Sequence, residues 1–101
     1  MSDSIDLDEI IKALAHPVRR EILQWLKEPE KHFADQDHPL ELGVCAGKFA
    51  RCGLSSSSVS VHLATLQRAG LISSRKVGQW GFFKRNEAVI QAFLSSLDQQ
   101  L

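Results

Sequence analysis

The stretch from Leu54 to Ile72, LSSSSVSVHLATLQRAGLI, decides the fold. Its apolar residues recur at helical spacing and give a helix one apolar face. Ser55 stands where a hydroxyl caps a helix, and Gly70 stands where a helix ends. The opposite face carries small, uncharged side chains: Ser56, Ser57, Ser60, Val61 and Ala64. Since a solvated helix face normally carries Glu and Lys, this face is typical of close approach to a flat, polar, negative surface. Residues 54–70 are therefore predicted to be the recognition region of a helix-turn-helix.

The residues after this helix change to the period of β-strands. Two extended runs, 71–76 and 80–85, flank Val77-Gly78-Gln79, which is predicted to form the tip of a hairpin. A hairpin directly after a recognition helix is typical of a wing. Residues 71–86 are therefore predicted to form a wing. The alternative is that the basic residues near its tip, Arg75 and Lys76, lie on a turn that is merely solvated.

Helical patterns flank this region on both sides. An apolar stripe predicts a first helix over 7–15, and Pro17 is predicted to open a second. A long loop over 29–42 leads to a third helix, predicted from about Val44 to Cys52, and residues 87–101 form the last helix. The predicted fold class is mainly α with a small β-hairpin wing. It is a winged helix-turn-helix with the order helix, helix, helix, helix, strand, strand, helix.

The chain of 101 residues is expected to form a single domain over 1–101, with residues 1–4 frayed. A domain of this size is only marginally stable alone. The apolar stripes of the terminal helices have little else to cover them, so 7–15 and 87–101 are predicted to be the dimerisation helices of a homodimer.

The charge distribution points to nucleic acid, although the formal net charge is zero. Residues 1–41 hold ten acidic and five basic side chains, whereas residues 42–86 hold seven basic side chains and no acidic one. This acid-free segment is centred on the predicted recognition helix. Such a distribution is expected of a DNA-binding face.

Three motifs together resemble the ArsR family of bacterial winged-helix repressors: HPVRREIL over 16–23, GLSSSSVSVHLATLQRAGLI over 53–72, and RKVGQW over 75–80. The resemblance extends from about Leu7 to Leu97. It implies a homodimer that places one recognition helix per subunit in successive major grooves of double-stranded DNA at a palindromic operator. An inducer bound elsewhere would release it.

The same resemblance implies a set of DNA-binding residues. These residues would face the major groove of the DNA, its phosphates or the adjoining DNA backbone. They are Ser56, Ser57, Ser58, Ser60, Val61, His62 and Arg68, together with Arg75, Lys76 and Gln79 in the wing. Val61 departs from the family, which usually has a polar residue there, and a valine suits contact with a thymine methyl group. The alternative for His62 is a half-buried packing role, since it shares a helix face with Val59 and Leu66.

A metal site is disfavoured. Metal-sensing members of the family carry a Cys-x-Cys within Glu-Leu-Cys-x-Cys, whereas residues 41–45 of this chain are Glu-Leu-Gly-Val-Cys. A single thiolate does not supply the converging ligands of a metal site. His32 and His38 lie in the loop near Asp35 and Asp37, but loop histidines are usually solvated. No metal and no cofactor are therefore predicted.

Cys45 and Cys52 are candidates for a redox switch. They are seven residues apart, so on a continuous helix they would share a face with their Cα atoms about 10 Å apart. This distance exceeds the limit of roughly 7 Å between the Cα atoms of a disulfide. Oxidation would therefore distort the helix that supports the recognition helix. The pair resembles thiol-switch members of the family that control old yellow enzymes. The alternative is two packing residues and a different inducer.

Other classes of protein fit less well. No nucleophile–base pair, phosphate-binding glycine loop or metal triad has a recognisable spacing, so an enzyme is not predicted. A winged helix that binds protein rather than DNA has no reason to exclude every acidic residue from 42–86. The sequence shows no signal peptide or apolar run of membrane-spanning length, which predicts a cytoplasmic protein without a membrane partner. Its cysteines are then expected to be reduced.

Overall fold

The computed structural model describes residues 5–52 and 55–101, and the side chains of these residues except 50–52. The chain forms α1 (Leu7–Leu14), α2 (Pro17–Lys27), the single turn α3 (Pro29–His32), a 3-10 turn (Leu40–Leu42), β1 (Val44–Cys45), a 3-10 helix (Ala46–Cys52), α4 (Ser56–Arg68), β2 (Ile72–Val77), β3 (Trp80–Arg85) and α5 (Glu87–Gln100). The segment 1–4, expected to be frayed, lies outside the described residues.

The predicted helices at the start of the chain are confirmed, and hydrogen bonds fix the corner between them. Asp6 caps α1, and His16 caps α2 by accepting from the N–H of Val18, with Nδ1 and N 3.1 Å apart. Arg19 donates from Nε to the carbonyl of Ala13 at 2.6 Å, and Arg20 donates to a neighbouring carbonyl. These guanidinium groups satisfy carbonyls that the end of α1 leaves without helical partners.

The predicted recognition helix is α4. Its apolar face is buried through Val59, Leu63 and Leu66. The helix ends in a Schellman motif: Gly70 adopts φ 84°, its N–H donates to Gln67, and the N–H of Leu71 donates to Leu66. Ser55 and Gly70 therefore bound the helix as the sequence predicted, while Gly53 and Leu54 lie outside the described residues.

The predicted third helix is wrong at its start. Val44 and Cys45 form β1, and only Ala46–Cys52 is helical, as a 3-10 helix. Gly43 explains the difference, because it adopts φ 110° and a Cβ there would lie 2.7 Å from the carbonyl oxygen of Phe83. The backbone thus passes close against β3, and Val44 pairs with Phe83.

The wing is a hairpin within a three-stranded antiparallel sheet of order β1-β3-β2. The tip is shorter than predicted: Val77 pairs with Trp80, and the turn consists of Gly78, at φ 63°, and Gln79. The sequence did not indicate the third strand, since two residues are too short to show a period. Its pairing with β3 ties the wing to the segment that precedes α4.

The core lies between the helices and the inner face of this sheet. Asn86 caps α5 by accepting from the N–H of Val89, and the helix buries Ile90 and Phe93. The predicted loop over 29–42 contains α3 and a 3-10 turn, and it contributes Phe33 to the core. Phe33 packs edge-on against Phe49 of the 3-10 helix, with ring centroids 5.4 Å apart.

Candidate nucleic-acid interface

Four positions on successive turns of α4 form an exposed stripe: Ser57, Val61, Ala64 and Arg68. We call these residues the recognition stripe. Val61 is 62% exposed, which is unusual for a β-branched apolar side chain. Three of the four side chains are short, so a surface can approach the helix backbone closely. Arg68 places a cation at the end of the stripe.

Serine hydroxyls surround the start of α4. Ser55 caps the helix by accepting from the N–H of Ser58 at 3.2 Å, and its hydroxyl also lies 3.1 Å from that of Ser58 and 3.3 Å from that of Ser57. The exposed hydroxyls of Ser56 and Ser60 make no side-chain hydrogen bond within the described part of the chain. A helix N-terminus with nearby hydroxyl groups offers donors to phosphate oxygens.

His62 faces inward from the recognition stripe. Its ring is half-buried, lies 4.5 Å from that of His16 between centroids, and has Nδ1 3.2 Å from Nη1 of Arg19. Partial burial, followed by the charges of His16 and Arg19, lowers the pKa of His62 below its usual 6.5. This is the location expected of a packing residue, and it joins α4 to α2.

The wing presents its predicted residues to solvent: Arg75, Lys76 and Gln79 are all exposed. A hydrogen bond from Nε2 of Gln67 on α4 to the hydroxyl of Ser74 on β2, 2.9 Å long, links the recognition helix to the wing. The sequence did not indicate this link, because two exposed polar residues seven positions apart carry no signal of contact.

One cation of the acid-free segment has a structural role. Arg85 pairs with Glu87 at 2.7 and 3.1 Å and also donates to the carbonyl of Leu23. The hydrogen bonds from Arg85 hold the pKa of Glu87 below its usual value. Lys84, by contrast, is exposed and adds to the positive surface of the wing.

The two cysteines are not on one continuous helix. Cys45 lies on β1 opposite Phe82 and is half-buried, so the expected 10 Å separation along a helix face does not apply. The side chain of Cys52 lies outside the description. His38 packs against the rings of Trp80 and Phe82 at 5.0 and 5.1 Å. Among the described side chains, no three of the His, Cys, Asp or Glu type come together as metal ligands would.

Within the described residues, every helix is too short or too polar to cross a bilayer.

Known proteins resemble this chain in sequence and in structure. An uncharacterised helix-turn-helix transcriptional regulator of Bacillus subtilis, YbzH, is 39% identical over 81% of this chain and 85% of its own length. A candidate arsenical-resistance operon repressor of Halobacterium salinarum is 31% identical over 96% of this chain and 73% of its own. The structure of an ArsR-like transcriptional regulator from Rhodococcus sp. RHA1 superposes with a TM-score of 0.68 at 27% identity, over 92% of this chain and 76% of its own.

None of the known protein-family models matches the sequence. The identity of these relatives nonetheless extends over most of both chains, and the fold agrees with that of a solved ArsR-like regulator. The chain therefore belongs to the ArsR family of winged-helix transcriptional regulators.

Proposed function

We propose that this chain is a cytoplasmic transcriptional repressor that binds a palindromic operator in double-stranded DNA as a homodimer and leaves it in response to a signal. The observation that supports this proposal is the recognition stripe, which stands beside a basic wing in a segment without a single acidic residue. Phosphate contacts dominate the affinity of proteins for DNA, so a segment whose charged side chains are all basic favours binding to the duplex.

In this proposal, α4 enters the major groove and the wing follows the adjoining backbone. The serines at the start of α4 donate to phosphates and base edges, and Val61 contacts a thymine methyl group. Arg68, Arg75, Lys76 and Gln79 contact the backbone. His62 has its Nδ1 turned toward Arg19, so its main role is to hold α4 at a fixed angle to α2.

The terminal helices supply the dimer contact in the same proposal. Both leave apolar side chains exposed on the described surface, with Ile11 of α1 at 46% and Leu94 of α5 at 50%. A second copy related by a two-fold axis would cover them and would set two recognition helices about 34 Å apart, one turn of B-DNA.

Thiol chemistry at Cys45 and Cys52 is the proposed release signal. The partial exposure of Cys45 supports it, since an oxidant or alkylating agent must reach the sulfur. A peroxide would take two protons and two electrons from the two thiols and leave as water, with a new S–S bond. The new bond would link β1 to the end of the 3-10 helix, and both elements precede the recognition helix.

The experiment that tests the proposal is an anisotropy titration of the DNA upstream of the chain's own gene, with a shuffled duplex as control. Wild type, Cys45→Ser and Cys52→Ser are compared under reduction and after mild peroxide. Wild type should bind only its own DNA, release it on oxidation and rebind with added thiol, while both variants stay bound. If all three bind alike in both conditions, the inducer is not a thiol reagent. Absence of duplex binding at low salt would favour a protein-binding winged helix instead.

A further inference from the structure

A pocket of about 290 Å³ lies beside β1 and the wing. Three separate parts of the chain form it: the loop before β1, β1 with the start of the 3-10 helix, and the first residue of β3. Its polar and aromatic lining consists of Gln36, Asp37, His38, Cys45, Lys48 and Trp80. This volume is near the lower end of the range for small-molecule sites.

Hydrogen bonds hold the pocket open. Oε1 of Gln36 accepts from the N–H of Cys45 at 2.8 Å, and its Nε2 donates to the carbonyls of His38 and Gly43 at 3.0 and 3.1 Å. Gln36 thus ties the loop to β1, which is itself paired with β3. A pocket formed before its ligand arrives loses less entropy on binding.

The walls of the pocket favour a flat ligand. The ring of His38 packs against both Trp80 and Phe82, which restricts its movement. Trp80 remains 44% exposed, although it is the largest apolar side chain of the wing. An exposed indole beside the His38 ring offers a stacking surface to a planar molecule.

The charged side chains of the pocket favour an uncharged ligand that carries one hydrogen-bond acceptor. Lys48 and Asp37 bring one charge of each sign, so the lining has no net charge from these two groups. The ammonium group of Lys48 can donate to a carbonyl oxygen. Cys45 contributes a polarisable sulfur, because it alternates with Val44, whose side chain points into the core.

We propose that this pocket binds an uncharged, planar aromatic compound that carries a carbonyl group, and that its binding lowers the affinity for DNA. Trp80 is paired with Val77 directly across the turn that carries Gln79, so a ligand on the indole acts on the wing. Lys48 belongs to the 3-10 helix that packs against α4. The ligand therefore contacts both elements that flank the recognition helix. The effect on DNA depends on the proposed function, whereas binding of the ligand does not.

NMR of the ¹⁵N-labelled full chain tests binding, with coumarin as the neutral probe and coumarin-3-carboxylate as its charged counterpart. The chain has two tryptophans, and Trp25 on α2 does not line the pocket. Trp80→Phe assigns the indole signals. Coumarin should shift the indole N–H of Trp80 and the amides of Cys45 and Lys48, leave the indole of Trp25 in place, and bind more tightly than the carboxylate. The proposal would be overturned if coumarin up to about 1 mM, which corresponds to a weak dissociation constant, left the signals of Trp80, Cys45 and Lys48 unchanged. Equal shifts at both indoles would overturn it too, since they indicate non-specific binding.

Anisotropy with the upstream DNA tests the coupling. Coumarin should weaken DNA binding by wild type about five-fold or more, the lower end of typical allosteric coupling. It should not affect Trp80→Ala, which lacks the stacking surface, and should still act on Lys84→Ala, an exposed substitution on the same strand outside the pocket. An unchanged DNA affinity of wild type with coumarin bound would overturn the coupling. If the chain binds no DNA at all, the proposed function fails, while the NMR shifts still decide whether the pocket binds the probe.

Discussion

Arg19 on α2 donates a hydrogen bond to His62 on α4, with Nη1 and Nδ1 3.2 Å apart. A guanidinium group has no acceptor, so Nδ1 of His62 must accept and the proton of the ring must lie on Nε2. The bond therefore requires a neutral imidazole. It couples the orientation of the recognition helix to the corner that Arg19 forms with the end of α1.

The lowered pKa of His62 predicts a loss of stability in mild acid. Above its usual pKa of 6.5, the ring is neutral in both the folded and the unfolded chain. Below that pH the unfolded chain binds more protons than the folded chain, so the free energy of unfolding falls as the pH falls. The fall ends once the pH is below the pKa of His62 in the folded state. Urea denaturation at about pH 7 and about pH 5.5 should show a larger fall for wild type than for His62→Gln, which cannot titrate. Equal falls would contradict the prediction.

Replacement of Gly43 should destabilise the sheet. In Gly43→Ala the new Cβ would lie 2.7 Å from the carbonyl oxygen of Phe83, at a φ of 110° that alanine rarely adopts. We expect a loss of about 1–3 kcal/mol in the free energy of unfolding. Gly47→Ala is the matched control, because among the described residues no atom beyond its own stretch of chain lies within 4 Å of the added Cβ. Thermal and urea denaturation measure both, and a loss as large for Gly47→Ala as for Gly43→Ala would show that the close approach to β3 is not the cause.

The cap of the recognition helix should contribute measurably to stability. Ser55→Ala removes the oxygen that accepts from the N–H of Ser58, and we expect a loss of about 1 kcal/mol. Ser56→Ala removes another exposed hydroxyl one position later and should change the free energy of unfolding by less than about 0.5 kcal/mol. The two variants are compared by urea denaturation. Similar losses for both would rule out a specific role for the Ser55 oxygen.

The proposed dimer predicts a charge-sensitive position on α5. Leu94→Glu places a carboxylate on an apolar side chain that is half exposed in the single chain, and it should shift the protein from dimer to monomer. Gln99→Glu adds the same charge at an exposed polar position of the same helix, about 140° around the helix axis from Leu94, and should leave the dimer intact. Sedimentation equilibrium distinguishes these outcomes. A wild-type monomer at all concentrations would refute the dimer directly.

The sequence predicted the helices well because their signals are local. Pro17, Ser55 and Gly70 stand at the observed helix boundaries, and the apolar stripe of α4 is the buried one. These features depend on residues within one or two turns. They can therefore be recognised without knowledge of the tertiary fold.

The errors arose where distant residues decide the structure. Val44 and Cys45 continue a helical pattern, but the approach of β3 to Gly43 makes them a strand. The link from Gln67 to Ser74 and the pocket around Trp80 likewise depend on tertiary contacts. Among the predicted DNA-binding residues, His62 differs most from its expected surroundings, because Arg19 and His16 contact it from α2.

The salt dependence of DNA binding tests the proposed function most directly. Each phosphate contact contributes about −0.9 to the slope of log K against log salt concentration, and a residue of a homodimer contributes twice. Wild type should show a steep negative slope on its upstream DNA between about 50 and 200 mM salt, and Lys76→Gln should reduce its magnitude by about 1.8. A wild-type slope near zero, or one that Lys76→Gln leaves unchanged, would contradict the binding of DNA through the wing.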